Sequence, residues 1–114
     1  MSRALVRPFK RPEWEPVPME GFVNVEGRVI VGDETLVLAL LRFGEHATID
    51  PHAGPNDAIV SCLEGHGFTS VGDETAELHE GEAVYWPAGV HHGLWTEGST
   101  MTTLMYERPG ASLP

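Results

Sequence analysis

A chain of 114 residues with a formal charge of −10 and 41% hydrophobic residues has the size and apolar content of one domain around one core, with no room for a second. That charge opposes nucleic-acid phosphates and anionic lipid, so small neutral or metal-bridged molecules are the expected partners. The single cysteine, Cys62, excludes an intrachain disulfide, and no signal-peptide core or apolar run longer than Leu36 to Leu41 is present, so a cytoplasmic protein without a membrane anchor is expected.

Four of the seven basic residues, Arg3, Arg7, Lys10 and Arg11, fall in the first dozen positions. Interrupted by Pro8 and Pro12, they lack the density of a nucleic-acid patch. Residues 1–20 are expected to form an extended arm or opening strand, since Pro12, Pro16 and Pro18 remove ladder donors and disfavour helix. Residues 21–114 are expected to form a closed β-domain.

From there the pattern alternates with period two and is broken at short intervals by turn residues, with no helical periodicity. Strands are predicted at Phe22 to Val25, Arg28 to Val31, Thr35 to Phe43, His46 to Ile49, Ala58 to Leu63, Phe68 to Val71, Thr75 to Leu78, Ala83 to Trp86, His92 to Thr96 and Thr100 to Glu107. Gly32-Asp33, Gly44-Glu45, Gly65-His66-Gly67, Gly72-Asp73, Gly81 and Glu97-Gly98 are read as turns in which glycine supplies positive φ. Val-Gly-Asp-Glu-Thr occurs at Val31 to Thr35 and again at Val71 to Thr75, which reads as two similar hairpin turns. The segment Leu36 to Leu41 is apolar on both faces and is expected under a second layer or at a subunit interface. An all-β sandwich or barrel follows.

Gly81, five residues, Pro87, one residue, Gly89, two residues and His92 reproduce the second motif of the cupin superfamily, and the chain resembles a small single-domain cupin over roughly Leu36 to Glu107. The family's asparagine four positions on is Thr96 here. The first motif is altered: Gly44 and its five-residue gap are present, but the first histidine position is Asp50 and the second is His52. The glutamate position falls on Asp57 or on Ala58, depending on where a one-residue slip in the Ala53 to Asn56 loop is placed. What the resemblance implies is a cupin-type antiparallel barrel, or double-sheet jelly roll, with a divalent metal held by Asp50, His52, His92 and either Asp57 or a water.

Asp50 and His52 are two apart on an extended stretch and are expected on one face, with His46 and Thr48 sharing that parity. A mixed nitrogen and oxygen donor set suits Fe, Mn, Ni or Zn. His46, His66, His79 and His91 are read as exposed or supporting residues, and Cys62 as a buried apolar thiol. Of the neighbours Tyr85 and Trp86, and of Leu104 and Met105, one each should line the pocket.

The leading expectation is a metal-binding cupin acting on a small organic molecule with oxygenase-like or isomerase-like chemistry. The alternative is a non-catalytic binding or sensing barrel without metal, and a third is a structural or storage barrel. A homodimer is expected from the family's habit and from the doubly apolar strand.

Overall fold

The computed structural model describes residues 3–6 and 13–109; Arg7, Lys10 and Arg11 of the basic segment lie outside them. Eight strands follow one another: β1 (Glu15–Pro16), β2 (Phe22–Gly32), β3 (Val37–His52), β4 (Ala58–Val71), β5 (Glu74–His79), β6 (Ala83–Trp86), β7 (His92–Trp95) and β8 (Met101–Glu107). All pairings are antiparallel, and no helix occurs among the described residues. The fold is the expected all-β barrel.

Closure is achieved by two long bent strands that each serve both sheets. The first half of β3 lies between β2 and β8, and its second half pairs with β7. Likewise the first half of β4 lies between β6 and β8, and the second between β5 and β7. The ring β3–β8–β4–β7 returns to β3, which protects the long central strands from edge exposure.

This corrects two expected turns. Gly44-Glu45 and Gly65-His66-Gly67 are bends inside β3 and β4, and Phe22 to Gly32 is likewise one strand with register shifts at Val23/Val25 and Val29/Val31. Left-handed backbone appears where β2 and β3 bend, at Asn24 (φ 55) and His46 (φ 53), and at Gly65 (φ 74) in β4. Such bulges turn a strand from one sheet into the other without ending it. Of the glycines read as turn residues, Gly65, Gly72 and Gly81 do take positive φ, whereas Gly32, Gly44, Gly67 and Gly98 do not.

Thr96 closes the bend in β3. Its hydroxyl donates to the Gly44 carbonyl at 2.6 Å and accepts from the Ala47 N–H at 3.0 Å, and its own N–H reaches the Ala47 carbonyl. The β2–β3 turn is held by Asp33, whose carboxylate accepts from the N–H groups of Thr35 and Leu36 and the Thr35 hydroxyl. Those bonds hold its carboxyl below the ordinary carboxylate range, the Thr35 N–H most of all.

Away from the cavity the core is filled by Phe43, Val60, Cys62, Leu94, Met101 and Thr103, all essentially inaccessible. Each large apolar side chain buried there stabilises the fold by about 1.5–3 kcal/mol. Before the barrel, the opening segment lies on β2. Val17 donates to the Val25 carbonyl and packs on the core, and Trp14 faces the Arg42 guanidinium at 4.3 Å.

Candidate active-site pocket

The barrel holds a cavity of about 520 Å³. Its walls are mainly apolar, with Phe22, Val29, Ala39, Ile49, Ala58 and Met105 among them, and its polar groups include His52, His92, Asn56 and Glu107. The two histidines meet because they are direct cross-strand partners at the end of β3 and the start of β7. Their ring centroids are 4.6 Å apart, edge to face.

The turn between β6 and β7 delivers His92. Gly89 takes φ 76 there, a conformation that side chains other than glycine adopt with difficulty, and its N–H bonds the Gly54 carbonyl. His92 is 5% exposed, and its Nδ1 is buried without a well-formed hydrogen bond among the described residues. Burial, reinforced by His52 and opposed by the Val90 carbonyl, depresses its pKa to about 4. The ring is therefore neutral at neutral pH.

Trp86 forms the plate behind it. The indole Nε1 donates to Thr69 Oγ1 at 3.1 Å, and that hydroxyl donates onward to the Gly93 carbonyl at 2.8 Å. This relay, buried throughout, fixes the indole against the imidazole. Of the two neighbours, Trp86 lines the pocket and Tyr85 is 46% exposed; of Leu104 and Met105, it is Met105 that lines it.

His52 sits differently. It is half-buried, and its Nδ1 lies 3.0 Å from the Asp50 carbonyl. Because a carbonyl only accepts, the proton belongs on Nδ1 and the lone pair on Nε2.

The structure does not bring the four sequence candidates together. His52 and His92 share the pocket, but Asp50 is exposed and its carboxylate accepts from Thr48 on the outer surface, beside Gly21. The expectation that Asp50 and His52 share a face is thus corrected. Between Ile49 and His52 the pairing with β7 slips by a residue, because Pro51 has no N–H for the ladder and the strand bulges there. Pro51 is accommodated over Gly93, where a methyl group would meet its ring at 3.4 Å.

Asp57 has another task. Its carboxylate accepts from the Ala88 N–H at 2.8 Å and bonds the Tyr85 hydroxyl, an interaction that raises the tyrosine pKa. It ties the Ala53 to Asn56 loop to the turn that carries His92. Among the described residues no group of three or more histidine, cysteine, aspartate or glutamate side chains is placed to hold a metal ion. The donors present do not fit an ion bound by three or four protein ligands; His52 and His92 are the two within reach of each other.

Cys62 is buried, its thiol directed to the carbonyls of Glu64 and Gly65. Burial first, then Glu80, pushes its pKa up, away from thiolate chemistry. Two pocket residues that sequence reasoning left out are Asn56 and Glu107, joined by a 2.8 Å hydrogen bond from Nδ2 to Oε1. The parity of Glu107 with Met105 was the available signal.

The barrel is widely shared. The polyketide cyclase RemF from Streptomyces resistomycificus superposes with a TM-score of 0.78 at 23% identity, covering 94% of this chain and 80% of that one. The TT1209 protein from Thermus thermophilus gives 0.69 at 26% identity over 83% and 89% of the two chains. An RmlC-like cupin from Shewanella frigidimarina gives 0.73 at 16% identity over 96% and 94%. No curated protein matches the chain. The Cupin_2 family model, described as a cupin domain, matches residues 39–106, more than half of the chain and the segment holding both histidines, and the protein belongs to that family.

Proposed function

We propose that this cupin binds a small, largely apolar organic molecule between the barrel walls and the His52–His92 pair, and that His52 acts on it as a proton acceptor. The observation that carries this reading is a cavity of about 520 Å³, within the range of small-molecule sites, with two cross-strand imidazoles on its wall. Its apolar lining favours a neutral ring system. The hydrogen bond to the Asp50 carbonyl leaves Nε2 of His52 as the base, and the neutral His92 keeps a second positive charge away from it.

The reaction class this suits is proton abstraction from carbon beside a carbonyl, with return of the proton elsewhere on the same molecule, an isomerase-like outcome. A barrel of the same fold named as a polyketide cyclase accords with a small organic ligand by analogy of fold alone.

Oxygenase-like or other metal-dependent chemistry is a second reading, favoured by the 4.6 Å approach of the imidazoles. Fe, Mn, Ni or Zn would have His52 and His92 as protein donors, with ligand and water at the other positions. Titration calorimetry with planar oxygenated aromatics, beside elemental analysis of protein purified without added metal, separates the readings. Binding to wild type that is lost in a His52→Ala, His92→Ala variant is expected. Stoichiometric metal in the wild type and none in the variant would move the assignment to the metal reading; binding without turnover would leave a sensing barrel, and no binding at all would end the first reading.

A homodimer is part of the proposal. Leu38, Leu40 and Leu104 alternate with the buried Ala39, Leu41 and Thr103, so they form an outward apolar stripe across β3 and β8. Sedimentation at equilibrium tests it, with the dimer mass expected. A cytoplasmic location is also proposed, supported by the lone buried thiol of Cys62.

A further inference from the structure

Three strands set one rung across the pocket. Glu107 on β8 is the register partner of Ala58 on β4, which is the partner of Trp86 on β6. Two strand spacings therefore separate Glu107 from the tryptophan that backs His92, roughly 10 Å. Ala58, the residue between them, has only a methyl group, so the rung is open in its middle. Glu107 faces inward with Met105 and Thr103, and its carboxylate accepts from Asn56, leaving further acceptor capacity on its two oxygens. The other charged residue along the wall, Arg28, pairs with Leu40 on the outward parity, and its guanidinium lies 6.0 Å from the Trp14 ring. Among the described residues Glu107 forms no ion pair.

From this rung we infer that Glu107 is a specificity-determining residue: it selects ligands that carry a hydroxyl or amine donor at the end remote from the histidines and rejects ligands with a carboxylate there. The inference rests on the proposed small-molecule reading and deepens it by naming the ligand class. A hydrogen bond to an ionised acceptor is among the stronger neutral-ligand contacts, whereas a second carboxylate would meet like charge in an apolar enclosure. The net charge of −10 acts in the same direction at longer range.

The test uses an acetylnaphthol and the matching acetylnaphthoate, which differ in the remote hydroxyl or carboxylate, in calorimetric titrations of wild type, Glu107→Gln and Asn56→Asp. The expected result is that wild type favours the naphthol by about tenfold or more, that Glu107→Gln brings the ratio close to unity, and that Asn56→Asp, with a second carboxylate at the same place, widens it. If both compounds bind wild type and the ratio is unmoved in the two variants, the inference fails while the pocket reading stands. If neither compound binds wild type, the pocket reading fails and the inference with it.

Discussion

The indole of Trp86 lies flat on the imidazole of His92, with ring centroids 4.0 Å apart and planes within 9° of parallel. One side of the imidazole is thereby sealed by an aromatic plate, the edge of His52 stands against it, and water has little access. That enclosure is the physical reason the ring refuses a proton.

The consequence for stability has a definite sign. The pKa of His92 is about 4 in the folded chain against 6.5 as the reference value, so between those limits the unfolded state takes up a proton that the native state does not. Stability contributed by this group is complete above pH 6.5 and falls as the pH drops toward 4, by up to about 3 kcal/mol. Denaturant unfolding across this range should show a steeper acid loss for wild type than for His92→Gln. Identical slopes would contradict it.

The relay behind the plate should be costly to break. Thr69→Val removes the acceptor of the Trp86 indole N–H and the donor to the Gly93 carbonyl, leaving buried polar groups unpaired. A loss of about 1–3 kcal/mol is expected by chemical denaturation, with a changed near-ultraviolet circular dichroism signal from a freed indole.

Glycine substitutions should divide sharply by position. At Gly65 the backbone has φ 74 and an added methyl would strike the Thr100 carbonyl oxygen, so Gly65→Ala should cost about 3 kcal/mol or more, or prevent folding. At Gly98 nothing lies within 4 Å and φ is not positive, so Gly98→Ala should stay within about 0.5 kcal/mol of wild type. Thermal melts of the two variants provide the comparison.

Asp50 offers a direct contrast with His52. Its side chain is exposed and turned away from the cavity, so Asp50→Ala should leave acetylnaphthol affinity within about twofold, whereas His52→Ala should lower it about tenfold. Equal losses in the two variants would show that the aspartate faces the ligand.

Much of this was legible in the chain because alternation and turn residues are local signals. The strands from Glu74 onward begin and end close to where the pattern places them, and the Gly81 to His92 spacing locates the histidine that the β6–β7 turn delivers. The long strands were not legible, since Gly44-Glu45 and Gly65-His66-Gly67 have the composition of hairpin tips. Only the pairing of β3 and β4 with β7 and β8, contacts distant in sequence, keeps the chain running through them.

At the site, the two-residue spacing of Asp50 and His52 promised a shared face, and the proline between them cancels it. A strand-interior proline is itself a bulge signal, so Pro51 held the warning. Thr69, Asn56 and Glu107 carried no motif; their roles come from neighbours on other strands.

The most direct test of the pocket is the nuclear magnetic resonance signals of the His52 and His92 rings and the Trp86 indole, followed while an acetylnaphthol is added. The account predicts that these three shift together and saturate with the binding curve measured by calorimetry. Saturation with all three signals unmoved, and shifts confined to the outer faces of β5 or β2, would contradict it.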